Sequence, residues 1–137
     1  MSNHISVVYG KNNNIELGNI ISVLEERIQL ERRIGKITYY FVSDDELLEI
    51  NKSHLNHDYY TDIITFDYST NKKLEGEIYV SIDRVRENSN DFIKELIRVM
   101  SHGVLHMLGF KDKSDEDIRE MRSMENKWID YIVSRES

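Results

Sequence analysis

Twelve consecutive residues, Val99 to Phe110, carry no formal charge in a chain of which 31% is charged. The stretch holds two histidines, His102 and His106, four residues apart. Residues i and i+4 share one face of a helix, one turn apart. Val104 and Leu108, with Ile97 and Met100, fall on roughly the opposite face. One side of such a helix can bind core while the other presents two imidazoles. Rings buried among apolar neighbours need partners. Gly109 suits a left-handed residue just past a helix end, where the chain turns. Asp112 would then swing back toward the histidines.

Two readings compete for this segment. In one, His102, His106 and Asp112 hold a divalent metal and leave a fourth position open, as in catalytic rather than structural zinc sites. In the other, the histidines are satisfied core residues and Asp112 caps the next helix. The spacing is not that of a His-Glu-x-x-His protease, because Gly103 stands where that motif has its glutamate general base. The chain has no cysteine, so any metal must use nitrogen and oxygen ligands.

The 137 residues suggest one domain. A formal charge of −7 argues against a general nucleic-acid binder, and DNA is not expected as a partner. The first residues show no basic stretch followed by an apolar run, so no signal peptide is expected. No apolar run approaches the roughly 20 residues of a membrane span, and the expected location is cytoplasmic.

Alternation predicts strands at His4–Tyr9, Ile37–Val42, Asp62–Tyr68 and Glu77–Ile82. Apolar residues at helical spacing predict helices over Ile15–Arg33, from Ser43 through Leu55, over Asp91–Leu108 and from Ser114 onward. A short helical piece is expected at Asp83–Asn88. Ser43 and Ser114, each followed by acidic residues, read as N-caps. Met121, Met124 and Trp128 are expected in the core. The fold class is α+β: a single domain, residues 1–137, with a mixed four-stranded sheet packed by four to five helices. The third and fourth strands form a hairpin.

The segment His102-Gly103-Val104-Leu105-His106-Met107-Leu108-Gly109-Phe110-Lys111-Asp112 resembles the signature of the YbeY-type rRNA-maturation endoribonucleases, His-Gly-x-Leu-His-x-x-Gly-[Phe/Tyr]-x-His. Ile50-Asn51 followed by Thr61-Asp62-Ile63-Ile64-Thr65-Phe66 is similar to the family's Leu-Asn…Thr-Asp-Val-Leu-Ser-Phe block. Gly76-Glu77-Ile78 with Ser81 is similar to its Gly-Asp-Ile…Ser strand. The resemblance covers about residues 35 to 130. It implies a metal-dependent endoribonuclease of single-stranded RNA that acts in rRNA maturation, at the 16S 3′ end, and in ribosome quality control. It also implies catalytic and metal-binding roles for His102 and His106, one divalent ion, zinc, and the ribosome or its small subunit as partner. Two positions depart from the pattern. Asp112 stands where the family usually has a third ligand histidine. Leu55 stands where it often has an arginine thought to act on the substrate phosphate.

Two imidazoles and a carboxylate leave a zinc site at one positive charge, against two for three imidazoles. Such sites still hydrolyse substrates. The carboxylate also makes manganese, iron or nickel more competitive. Two other functions remain open at this stage: a metal-binding ribosome-assembly factor with little nuclease activity, and another metallohydrolase. Non-haem iron oxygenases share the ligand types but usually place the carboxylate between the histidines. His54 and His57 are expected as solvent-facing loop residues. Asp62 is a candidate partner for a ligand histidine, or else closes a turn.

Overall fold

A computed structural model describes residues 4–10 and 15–136. In chain order its elements are β1 (Ile5–Tyr9), α1 (Ile20–Gln29), β2 (Ile34–Val42), α2 (Asp44–Leu55), β3 (Ile63–Asp67), β4 (Leu74–Ser81), α3 (Ile82–Glu87), α4 (Phe92–Met107) and α5 (Asp115–Arg135). The strands form one mixed sheet in the order β1-β2-β4-β3. β1 and β4 run parallel to β2, and β3 runs antiparallel to β4 as the expected hairpin.

The period-two alternation of the strands sorts side chains to two faces. Ile37, Tyr39 and Phe41 of β2 and Ile78 and Val80 of β4 lie in the main core with residues of α1, α4 and α5. The opposite face carries a smaller cluster, where Val42, Leu47 and Ile64 are joined by Tyr40, Phe66 and Tyr79. Tyr40 and Tyr79, paired across β2 and β4, stack with ring centroids 4.4 Å apart. α2 packs on this second face. It starts with a capping box in which the Ser43 side chain accepts from the Glu46 N–H and the Glu46 carboxylate accepts from the Ser43 N–H.

α4 lies on the main face of the sheet. Tyr39, fully buried, donates from its phenol to the Met100 carbonyl at 2.8 Å and pins β2 to this helix. Burial pushes the Tyr39 phenol far above its ordinary range, so it stays a donor. Gly103 allows α4 to approach. A Cβ there would sit 3.0 Å from Cδ1 and Cγ2 of Ile78 and 3.2 Å from Cδ1 of Ile63. Ile78 is fully buried and β-branched, with little freedom at χ1. Overpacking costs about 1–3 kcal/mol, against a helix-propensity gain of about 1 kcal/mol for alanine over glycine. Gly103→Ala is therefore expected to destabilise the fold by about 1–2 kcal/mol, read from urea denaturation.

Several boundaries differ from expectation, among them the end of α1, at Gln29 rather than Arg33. α1 begins at Ile20 rather than Ile15, because Gly18 adopts φ +54° and breaks the helical run before it. Leu17 is nonetheless buried, so its helical spacing reflected packing rather than helix. β2 begins at Ile34 and β4 at Leu74, because these two residues pair across the sheet with an irregularity between Ile34 and Lys36. Gly35 lies at that irregularity. Met121 and Trp128 are buried and Met124 packs against the core, as expected.

Candidate metal centre

α4 opens at Asp91, whose side chain accepts from the Lys94 N–H, and brings His102 and His106 onto one face over its last two turns. The helix closes at Gly109, which takes φ +104°. Its N–H donates to the His106 carbonyl at 3.0 Å, and the Phe110 N–H to the Leu105 carbonyl at 3.0 Å. This left-handed turn sends the chain back and puts Asp112 beside the two rings.

The rings are oriented through their Nδ1 atoms. His106 Nδ1 lies 3.1 Å from the Phe110 carbonyl, an acceptor only, so it carries the proton and donates. His102 Nδ1 lies 2.6 Å from Oε2 of Glu125. Both Nε2 atoms face the same carboxylate oxygen, Asp112 Oδ2, at 3.4 Å from His102 and 3.2 Å from His106. One donor atom from each of the three residues lies within 4.8 Å of the others. A four-coordinate ion with bonds of about 2.0–2.1 Å sets its ligand atoms about 3.3 Å apart. The two separations, 3.4 and 3.2 Å, match that value. Two imidazoles with Nδ1 engaged and Nε2 converging on a carboxylate are also the donor chemistry that zinc takes. The residues present therefore fit such an ion.

Glu125 was not singled out from the sequence. It comes from α5, is only 4% exposed, and holds Arg98 Nη1 at 3.1 Å through its other oxygen. Arg122 Nη1 stands 3.7 Å from that same oxygen. Burial raises the Glu125 carboxyl, but the hydrogen bonds from His102 and Arg98 outweigh it and leave the group below its ordinary value. Burial lowers the His102 imidazole, while the Glu125 hydrogen bond and charge, with Asp112 and Asp62 adding, leave it above its ordinary value. The signal for Glu125 was a carboxylate on the apolar stripe of α5, between Met121 and Trp128. Asp62 does not take the partner role at His102 Nδ1. Its main-chain carbonyl accepts from the Ser81 N–H, and its side chain lines the space in front of His102.

Two cavities meet at the centre. One, of about 300 Å³, lies between α4 and α5 and is lined by Glu95, Arg98, Arg122 and Met121 beside His102. The other, of about 460 Å³, lies between β3 and the end of α4. Asp62, Ile63, His102 and Asp112 border both. Burial pushes the Glu95 carboxyl up, against the lowering pull of Arg98 and Arg122.

Other predicted residues lie elsewhere. His57 is exposed and stacks on Tyr59, and His54 is exposed and edge-on to Phe66. Neither belongs to the group around His102. Leu55 ends α2 and is exposed. No described helix is long and apolar enough to cross a membrane.

A family model described as endoribonuclease YbeY matches residues 4–132. A Flavobacterium psychrophilum protein named endoribonuclease YbeY is 56% identical over 97 residues, which cover 68% of this chain and 69% of that protein. One of the same name from Phocaeicola vulgatus is 46% identical over 105 residues, 74% of this chain and 76% of its own. A solution structure of a Thermotoga maritima protein superposes with a TM-score of 0.68 at 31% identity, over 93% of this chain and 88% of that one.

Proposed function

The chain belongs to the endoribonuclease YbeY family, and from that we propose that it is a metal-dependent endoribonuclease of single-stranded RNA. Residues 1–137 form one hydrolase domain in this reading. His102 and His106, through Nε2, and Asp112 hold one divalent ion, zinc by donor preference. When bound, the ion supplies Lewis acidity toward a phosphoryl oxygen and makes water a stronger nucleophile at neutral pH. The observation that carries the reading is the pair of ligand-like separations, 3.4 and 3.2 Å, around Asp112 Oδ2 with both Nδ1 atoms engaged.

The surrounding residues divide the remaining work. Glu125 fixes the tautomer and orientation of His102, and the Phe110 carbonyl does the same for His106. Arg98 is committed to Glu95 and Glu125. Arg122 has a side chain 60% exposed and only a 3.7 Å contact, so it is the cation placed to meet a phosphate that Leu55 cannot meet. A single strand can lay its backbone into the cleft between α4 and α5, where a duplex is too wide. Ribosomal RNA at the small-subunit 3′ end, on the ribosome and in the cytoplasm, is the substrate and setting that the family points to.

The test is cleavage of one RNA sequence, as a single strand and as a duplex, by protein stripped of metal and by protein reconstituted with zinc. Cleavage of the single strand alone, present only after reconstitution, is the expected result. A protein that binds zinc and cleaves neither form would instead be an assembly factor.

Glu125→Gln separates orientation from charge. Loss of a carboxylate partner of a ligand histidine lowers metal affinity about 10–100-fold. The pH dependence should move as well. Metal binding needs a neutral His102. Because the folded His102 sits above its ordinary value of about 6.5, affinity in the wild type should fall as pH drops through a range above that value. Without the Glu125 charge this fall should shift to lower pH. Chelator-competition titrations across pH check both, and an unshifted profile would count against the assigned role.

A further inference from the structure

β3 is the last strand of the sheet, and among the described residues nothing pairs with its outer side. Two hydrogen bonds fix which of its residues face β4. The Ser81 N–H donates to the Asp62 carbonyl at 2.9 Å, and the Tyr68 N–H to the Glu75 carbonyl at 2.8 Å. In an antiparallel ladder, hydrogen-bonded pairs alternate with non-bonded pairs. With Ile64 opposite Tyr79 and Phe66 opposite Glu77, the even-numbered residues use their backbone groups on β4. Ile63, Thr65 and Asp67 therefore turn theirs outward. Among the described residues, the only partner of these outward backbone groups is the Thr61 hydroxyl, which donates to the Ile63 carbonyl at 3.3 Å.

This edge forms one wall of the cavity of about 460 Å³, with His106, Met107 and Asp112 opposite. It is neither bulged nor capped with lysine or proline, the usual protections of an open edge. Among the described residues, Asp62, Asp67 and Asp112 line the space, and no lysine or arginine does. With Asp112 committed to an ion, two carboxylates remain to face an occupant. A nucleic-acid backbone laid along β3 would meet like charge at Asp62 and Asp67, away from the ion. A second copy of β3 would bring its own Asp62 and Asp67 against these.

We infer that the open edge of β3 receives an extended, lysine- or arginine-bearing polypeptide segment of a partner protein as an added strand. Its backbone bonds to Ile63, Thr65 and Asp67, and its cations meet Asp62 and Asp67. Main-chain bonds give such docking its affinity, and alternate side chains give its specificity. His102, His106 and Asp112 border the same cavity, so a docked segment would pass beside the proposed ion and compete there with RNA entering from the Arg122 side.

The test uses the full chain and a short labelled peptide of alternating lysine and valine. Its control is the same peptide N-methylated at alternate backbone nitrogens, with equal charge. Fluorescence anisotropy reads affinity, and amide chemical shifts read location. The unmodified peptide should bind and shift the amides of Ile63, Thr65 and Asp67, and the methylated one should bind about tenfold more weakly. Thr65→Pro removes an outward N–H without touching the β4 ladder, so it should fold normally and lose a similar factor. Asp62→Asn with Asp67→Asn should flatten the salt dependence. Equal binding of the two peptides would overturn the inference even if Thr65→Pro failed to fold. So would shifts confined to another face, or single-stranded RNA shifting these amides and resisting displacement by the peptide.

Discussion

Alanine at both His102 and His106 is expected to take bound metal from about one equivalent to none, and RNA cleavage with it. Elemental analysis of purified protein measures the first, and the single-strand assay the second. The double substitution is the decisive one because each single variant keeps one imidazole and Asp112. Folding should survive. The two side chains are 22% and 34% exposed, so neither fills the core. The group most affected is Glu125, whose Oε2 loses its partner while Oε1 keeps Arg98 and Arg122. An unpaired buried acceptor costs about 1–3 kcal/mol, less where the adjoining cavity admits water. A double variant with full metal content would return both histidines to the packing role that their helical spacing also allowed.

The second large effect lies in the core. Trp128→Ala should destabilise the protein by about 3–5 kcal/mol, as is usual for deletion of a large buried aromatic. That is a large share of a total stability of roughly 5–15 kcal/mol, and it corresponds to a melting point lower by about 10–20 °C. Trp128 is fully buried on α5, with the Arg27 guanidinium of α1 5.0 Å from its ring centroid. Its indole N–H has no hydrogen-bond partner among the described residues. Trp128→Phe should therefore cost much less, because the lost volume is partly offset by removal of an unsatisfied polar atom. Thermal unfolding followed by circular dichroism separates the two. Trp128 lies three residues from Glu125 on the same helix, so the alanine variant should also loosen metal binding. A melting point unchanged in the alanine variant would mean that α5 is not anchored through this ring.

Much of this arrangement could be read from short-range pattern. The histidine helix, the Gly109 turn, the serine caps and the β3–β4 hairpin each depend on residues close together in the chain, so spacing revealed them. α1 was overextended because Leu17 is buried outside a helix and Gly18 breaks the run. Glu125 escaped because its partner, His102, is 23 residues away and meets it only through the packing of α4 on α5. A carboxylate within an apolar stripe is the trace that this pairing leaves. The open backbone of β3 could not be read locally either. It follows from the strand order, with β4 inserted between β2 and β3, and from a register that only the fold defines.

The Gly109 turn has a consequence for the order of assembly. His102, His106 and Asp112 all lie on one helical end and the reversal that follows it. An ion bridging them closes only a short loop, and short closures lose little chain entropy. The three donors can be gathered by local structure before the sheet is complete, whereas Glu125 arrives only when α5 docks. On the proposed metal site, capture of the ion would then be an early, loose event in folding, made tight when α5 docks. Refolding started with zinc present should proceed faster than refolding given zinc only at the end, with the Glu125→Gln variant keeping that acceleration while losing the final affinity.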